Sequence, residues 1–493
     1  MPQKQDVAVN LSIRSPDNTM MTFTKSIISK PNDRITAAFK IIPEQIGDWE
    51  LAVTVKSALA SYHLNKTLLV KPGGVTQFYS QPILIDLNKS NTFNTVIQLP
   101  MDPADRVTGS EKVIVDVVGD ILGVSLHNLD KLIRLPTGGG EPNMAIVASS
   151  VAVLKYLRNT NKTSHQKEKN LASNIQLGYQ QALTYLRNDN SNLFSMRGPT
   201  DTNSSTWLTA YFTRVFAETS QRLPKSSTKV IEKAIQFLID QQNDDGSFRE
   251  SGKIIDSYVE SGDSKQVFLT AFTVLSFTEY IKTGKAGIEK LNASLQKAVA
   301  YLESQVDSAK SDSYASAITA HALAQANSSK SLDALNLLKD LTVTDASTVH
   351  WKTPASVEDE TENAGYLYAT HPIDVEATAY ALLAHLANGN WNTSLKIASW
   401  LISKQNAEGG FFSTADTVVA IEALAKFAQF ITDAPAIQID LMDGIQKRDV
   451  TISPDTAMAV RSLEFAQKPT DIAIHARGSG MAVAYVSWTC NVQ

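Results

Sequence analysis

Hydrophobic and polar positions alternate with period two through the first part of the chain. In GDWELAVTV, Trp49, Leu51, Val53 and Val55 fall on one face, and in EKVIVDVVGD, Val113, Val115 and Val117 do the same. Short alternating runs separated by Pro, Gly and Asn predict a β-sandwich. The stretch Lys71 to Val75, KPGGV, is a strong turn and marks an internal boundary.

From about Ile121 to Phe430 the period becomes helical. STKVIEKAIQFLIDQQ places Val230, Ile231, Ala234, Ile235 and Leu238 on one stripe, as a core-facing helix requires. Segments such as QVFLTAFTVLSFTEYI and DTVVAIEALAKFAQF repeat the pattern. After about Thr432 alternation returns in IQIDL, in TDIAIHA and, past the Gly478-Ser479-Gly480 turn, in MAVAYVSW. The order β, helical block, β predicts a helical domain inserted into a β domain, since hairpin tips tolerate insertions.

The helical block repeats itself. FLIDQQNDDGSF, Phe237 to Phe248, is echoed by WLISKQNAEGGF, Trp400 to Phe411. Each reads as a helix end followed by a Gly turn whose aromatic residue tucks back. The triplets Thr209-Ala210-Tyr211, Thr270-Ala271-Phe272 and Thr378-Ala379-Tyr380 lie inside other helices. Helix pairs that cannot bury their faces alone must stack or close, and the recurring turn favours a closed α/α toroid.

Composition narrows the function. The 493 residues suffice for about three domains. A net charge of −5, with no basic run interleaved with aromatics, argues against nucleic acid as a partner. The apolar run Ala145 to Leu154 is cut by Lys155 and is too short for a membrane span. The polar start MPQKQDVAVN lacks the apolar core of a secretory signal. Cys490 is the only cysteine, so no internal disulfide or cysteine metal cluster forms, and it reads as a free thiol. Asn-X-Ser/Thr sequons begin at Asn10, Asn65, Asn88, Asn161, Asn203, Asn292, Asn327 and Asn392. Roughly half that number is expected by chance, so they are candidate N-glycosylation sites and only weak evidence of secretion.

The stretch nearest to chemistry is LPTGGGEPNMAIVASS, Leu135 to Ser150. Gly138, Gly139 and Gly140 predict a tight turn with positive φ. Pro142 reads as the first residue of the following helix, where its fixed φ fits and its missing N–H is not needed. An anion site at this helix start is the weaker alternative: no Lys-Ser/Thr follows, and Glu141 opposes an anion. His321 and His385 lie on apolar helices without a second His or carboxylate at i+4, so they read as hydrogen-bonded core or edge histidines, not metal ligands. The four carboxylates of SVEDETEN, Ser356 to Asn363, lack calcium-loop spacing and read as a solvated loop. NDDGSF at Asn243 lacks the spaced aspartates of a toroidal cyclase. No cofactor or metal site is expected.

LPTGGGEPNM resembles the thioester motif Pro-Tyr-Gly-Cys-Gly-Glu-Gln-Asn-Met of alpha-2-macroglobulin, the complement components and the insect thioester-containing proteins. The flanks agree: VVGDILG before it, STWLTAYF at Ser205 to Phe212, STVHWKTP at Ser347 to Pro354, and KQNAEGGFFSTADTVVAIEALAKF at Lys404 to Phe427. The resemblance implies an α+β multidomain chain. Residues 1–71 resemble part of a macroglobulin-type β-sandwich, residues 72–118 the first half of a CUB-type β-sandwich, residues 119–430 an α/α-toroid thioester domain, and residues 431–493 the second CUB half. A bait region and a receptor-binding domain are missing, as in a piece of a larger secreted protein.

Position by position, Gly139 stands where the family has Cys and Pro142 where it has Gln, while Glu141 is kept. The family's acyl-transfer histidine falls in GKIIDSYVES, where Asp256 takes its place, and no acyl-imidazole forms on a carboxylate. The expectation is a non-catalytic, thioester-free family member acting by non-covalent protein binding, in innate immunity or as a relative of protease inhibitors. Expected partners are proteases, microbial or cell-surface proteins, or other domains of a larger parent chain, and the expected location is extracellular. Two alternatives stand beside it. An α/α-toroid hydrolase or cyclase would need convergent carboxylates in the toroid mouth, which the sequence does not display. The chain could otherwise be a structural fragment of a larger secreted protein.

Overall fold

A computed structural model describes residues 5–30, 34–99, 106–107, 109–128, 139–162, 165–187, 193–219, 226–252, 264–284, 288–307, 312–345, 347–353, 371–431, 433–465 and 469–492. The alternating runs are strands. β1 (Gln5–Arg14), β2 (Met20–Ser29), β3 (Gly47–Lys56) and β4 (Ser61–Val70) form an antiparallel sheet of order β2-β1-β3-β4. Leu11, Ile13 and Trp49 are buried on one face of it, and β4 lies along its edge.

Two further sheets share a second core. β6 (Thr92–Gln98) joins β10 (Ala436–Met442), β11 (Lys447–Ile452) and β13 (Asp471–Ser479) in the order β11-β10-β13-β6. β5 (Val75–Asp86) and β7 (Lys112–Val118) join β12 (Arg461–Phe465) and β14 (Met481–Val492) in the order β12-β7-β14-β5. Val115, Ile439, Ile474 and Val486 meet in this core. Each sheet thus draws strands from both sides of the helical block. A Cβ at Gly119 would stand 3.1 Å from the Pro435 ring, so the chain leaves and re-enters the sandwich at adjacent points.

Between these points, after the short α1 (Gly123–His127), eleven longer helices follow among the described residues. They are α2 (Gly140–Asn159), α3 (His165–Leu183), α4 (Thr206–Thr219), α5 (Ser226–Asp240), α6 (Lys265–Ile281), α7 (Leu291–Gln305), α8 (Ser313–Gln325), α9 (Ser331–Lys339), α10 (Pro372–Ala387), α11 (Trp391–Ser403) and α12 (Thr414–Ala428). The even-numbered helices pack in the order α2–α4–α6–α8–α10–α12, and α12 packs back on α2, closing the circuit. The odd-numbered helices α3, α5, α7, α9 and α11 pack outside them. Their sequences fit these places: α8 is buried on all sides from Ser313 to Leu323, whereas in outer α5 only a stripe including Ile231, Ala234, Ile235 and Leu238 is fully buried. Each outer helix returns the chain, so the six inner helices run in one direction.

The repeated turns take a shared form. Gly246 (φ 92°) and Gly409 (φ 80°) provide left-handed backbone, and Phe248 and Phe411 are buried behind them. The Phe248 N–H donates to Thr270 Oγ1 at 3.1 Å, and the Trp351 N–H to Thr378 Oγ1 at 3.2 Å. Trp351 ends the short strand β9 (Val349–Trp351), which pairs with β8 (Thr342–Thr344), so two of the three Thr-Ala-aromatic triplets anchor the segment that precedes them. Two hydrogen-bond networks stand where the ring meets the sandwich. Asp120 accepts from Tyr156 Oη at 2.6 Å and from Lys162 Nζ at 2.5 Å. On β14, Tyr485 Oη donates to Gln405 Oε1 at 2.7 Å, while Ser125 Oγ donates to the Gly409 carbonyl at 2.7 Å.

Candidate functional site

The glycine-rich motif enters α2. Residues 135–138 lie outside the described residues, so the part of the expected turn on Gly138 does too. Gly139 caps the helix in extended backbone (φ −75°, ψ −179°), and neither it nor Gly140 has positive φ. Close approach explains the glycines instead. A Cβ on Gly140 would stand 2.7 Å from Leu208 Cδ2 and 3.2 Å from the Ser195 carbonyl, and one on Gly139 would stand 3.3 Å from the Met196 carbonyl. The Gly140 N–H donates to that Met196 carbonyl at 3.0 Å. Because the helix starts at Gly140, Pro142 is its third residue and not its first; the missing N–H still falls in the first turn, where it has no partner to lose. Asn143, fully buried, donates Nδ2–H to the Gly178 carbonyl at 3.1 Å and ties α2 to α3.

Glu141 and Pro142 form part of the wall of a cavity of ≈ 250 Å³ along the axis of the helical ring, to which all six inner helices contribute. Toward the helix N-termini the wall is aromatic. Trp207, Tyr211, Phe268, Phe272, Tyr314 and Tyr380 make a chain of ring contacts with centroids 5.4 to 6.0 Å apart. Tyr314 Oη donates to the buried Glu376 carboxylate at 3.0 Å. Toward the C-termini the wall is charged. Lys155 pairs with Glu218 at 2.5 Å, Arg214 with Glu422 at 2.5 Å, and Lys282 with Glu279 at 3.1 Å. Burial raises the Glu218 carboxyl, which Lys155 partly offsets and Glu279 reinforces.

The sequence reading found no convergent carboxylates, and the fold brings five to the wall of this cavity, Glu218, Glu279 and Glu422 toward the helix C-termini and Glu141 and Glu376 toward the N-termini. The signal was present as isolated charges in apolar helices, Arg214 and Glu218 in WLTAYFTRVFAET and Glu422 in VVAIEALAKF. Glu218, Glu279 and Glu422 each face a cation.

The other candidates fall elsewhere. His321 and His385 are buried as expected, but the expected hydrogen bonds are not made at three of their ring nitrogens. Among the described residues, His321 Nδ1 and both ring nitrogens of His385 have no hydrogen-bond partner. Burial pushes the His385 imidazole down to about 4. In the Asn243 turn, Asp245 Oδ1 accepts from the Ser247 N–H at 3.0 Å and from its hydroxyl at 2.6 Å, so this carboxylate closes the turn. Asp256 and the acidic stretch 356–363 lie outside the described residues. Cys490 is buried in β14 of the sandwich, paired across the sheet with Gln77. Among the sequons, Asn65, Asn88, Asn161, Asn203, Asn292, Asn327 and Asn392 are exposed, whereas Asn10 is half-buried on β1. Among the described residues no helix is long and apolar enough to cross a membrane, and no group of three or more His, Cys, Asp or Glu could hold a metal ion.

Residues 112–427 match the family model described as A-macroglobulin TED domain. Among curated proteins the chain is similar to Ovostatin of Gallus gallus, with 26% identity over 484 residues. That alignment covers 93% of this chain and 32% of the relative, so the chain spans about a third of the length of the curated relative it matches.

Proposed function

Because this chain belongs to the alpha-2-macroglobulin family, with its A-macroglobulin TED domain over residues 112–427, we propose that it is a member without a thioester that acts by non-covalent protein binding. The observation that carries this reading is the pair Gly139 and Pro142 at the family's thiol and carboxamide positions. A thioester joins a cysteine sulfur to a glutamine acyl carbon with loss of ammonia. Glycine supplies no sulfur and proline no acyl group, and the sole cysteine, Cys490, is buried in a β-strand of the sandwich. Asp256 at the position of the acyl-transfer histidine points the same way.

In this reading residues 119–430 are a thioester-domain-like α/α toroid, supported by the closed circuit of inner helices. Residues 72–118 and 431–493 are the two halves of a CUB-type sandwich, supported by sheets that mix strands from both sides. Residues 1–71 are part of a macroglobulin-type sandwich. The protein is extracellular and not an enzyme, its exposed sequons carry glycans, and its partners are proteases or microbial and cell-surface proteins, not nucleic acid. A place in innate immunity or among relatives of protease inhibitors follows from the family.

The test combines amine reactivity with retention. With Cys490 the sole cysteine, a thioester would titrate as no thiol before methylamine and one after, so this chain should titrate as one thiol both before and after methylamine and incorporate no label. Retained on active proteases or microbial surfaces, it should survive a native wash and be removed by boiling SDS. An SDS-stable conjugate, or methylamine incorporation, sinks the proposal of a thioester-free member.

A further inference from the structure

The charges along the ring axis are met within the wall. Lys155 pairs with Glu218, Lys282 pairs with Glu279, and Arg214 is engaged by Glu422 and Tyr380. Glu376 accepts from Tyr314 Oη at 3.0 Å, and Glu141 stands in the first turn of α2, where the helix dipole favours a carboxylate. Lys155, Lys282 and Lys426 are solvent-exposed at the other end, which is the open one. A charged ligand would find its counter-charge already engaged inside the ring, whereas a neutral ligand leaves every pair intact.

Two polar groups in the same wall are not met. Trp207 is 7% exposed and His321 4%, and both line the cavity. Among the described residues neither the Trp207 indole N–H nor His321 Nδ1 has a hydrogen-bond partner. A buried donor left unsatisfied costs about 1–3 kcal/mol. An indole nitrogen can only donate, so the group that completes Trp207 is an acceptor. The N–H is packed within the wall, and a turn of the indole about its Cβ–Cγ bond carries it to the cavity surface that the ring already lines. His321 adds no charge nearby, because burial holds its imidazole well below 6.5. The surroundings of Trp207 are aromatic, with ring centroids of Tyr211 at 5.4 Å and Phe272 at 5.9 Å, and Tyr211 meets Phe272 edge to face. A further aromatic ring placed among these gains about 0.5–1.5 kcal/mol per pair beyond the area it buries.

We infer that the axial cavity binds a small neutral arene carrying an acceptor oxygen, with its ring among Trp207, Tyr211 and Phe272 and its oxygen accepting from the Trp207 N–H. A dry cavity of about 150 Å³ takes benzene. The ≈ 250 Å³ here takes one ring with a short oxygen-bearing substituent, or a fused pair of rings. The site does not rest on the thioester-free reading, and a failure to bind would leave that reading as it stands.

Acetophenone, ethylbenzene, benzoate and benzylamine are close in size and differ in the group beside the ring. Titrated separately into the full chain, followed by calorimetry and by saturation-transfer NMR on the ligand, they test the inference. The expected result is saturable one-to-one binding of acetophenone, with ethylbenzene, benzoate and the benzylammonium ion at least about tenfold weaker. Trp207→Phe keeps an aromatic ring and removes the donor. It should lower acetophenone to the level of ethylbenzene and leave ethylbenzene within about twofold of its wild-type affinity. Ala148→Leu fills the cavity from α2 and should abolish acetophenone binding in a chain that keeps the wild-type circular dichroism spectrum. Absence of saturable acetophenone binding overturns the inference, as does equal or tighter binding of any of the other three. Unchanged acetophenone affinity in a folded Trp207→Phe chain, or full binding in a folded Ala148→Leu chain, overturns it as well.

Discussion

His385 has no exposed surface and, among the described residues, no hydrogen bond on either ring nitrogen. Its imidazole is held at about 4, burial first and Lys339 second, against an ordinary value of 6.5. His350, stacked on Trp400 at 4.6 Å, is likewise held at about 4, and His321 is held well below 6.5, both chiefly by burial. A group whose pKa is depressed by folding binds fewer protons in the native state, so its contribution is intact above 6.5 and lost as pH falls toward 4. Asp416 opposes this: burial raises its carboxyl to about 6, so its contribution falls as pH rises from about 4 to about 6. Glu218, also raised by burial, acts in the same direction as Asp416, and the three histidines outweigh these two carboxyls. Stability should therefore drop on acidification from about pH 7 to about pH 5, and His385→Leu should recover about 2 kcal/mol of that loss. Urea unfolding at the two pH values decides it: an equal loss in wild type and variant would mean that His385 does not titrate as its surroundings require. Apolar flanks made these histidines legible as core residues. Their missing partners were not, because hydrogen-bonding depends on which helix faces them.

At the scale of elements, the ring is built by a repeated joint. The Thr270 and Thr378 hydroxyls accept the N–H groups of Phe248 and Trp351, the aromatic residues that close the preceding segments. Thr378→Val keeps the shape and removes the acceptor, leaving the Trp351 N–H buried without a partner. The cost should be about 1–3 kcal/mol in chemical unfolding, while Thr378→Ser should retain much of the bond. Equal stability of the Val and Ser variants would show that the joint is held by packing alone. The Thr-Ala-aromatic triplets and Gly turns displayed this joint in sequence, because local turn chemistry and helical period repeat with it. The axial charges were hidden for the opposite reason. Lys155, Glu218 and Glu422 each look like a lone charge on an apolar helix, and only closure of the ring places Lys155 against Glu218 and Arg214 against Glu422. The glycines of the motif show the same limit. The sequence suggests a turn there, while the need for Gly140 comes from Leu208, distant in sequence.

At the scale of the whole molecule, β14 divides its residues between two cores. Ala482, Ala484, Val486 and Trp488 pack inside the sandwich, while Met481, Val483 and Tyr485 belong to the core of the helical ring. The run MAVAYVSW announces a strand, but its apolar character on both faces shows that something covers the outer one. That cover is the ring, which leaves and rejoins the sandwich at Gly119 and Pro435, side by side. The sandwich should therefore fold without the ring when residues 120–434 are replaced by a short Gly-Ser linker, provided that the outer face of β14 is made polar. With Met481, Val483 and Tyr485 unchanged, the shortened chain exposes an apolar stripe and should aggregate. With all three changed to Thr it should be monomeric, with a β-type circular dichroism spectrum and a cooperative thermal transition. If the Thr-substituted chain is unfolded, the two halves of the sandwich depend on the ring for more than cover. The bond from Tyr485 on β14 to Gln405 would then help to hold the sheets, not merely fasten the ring to them.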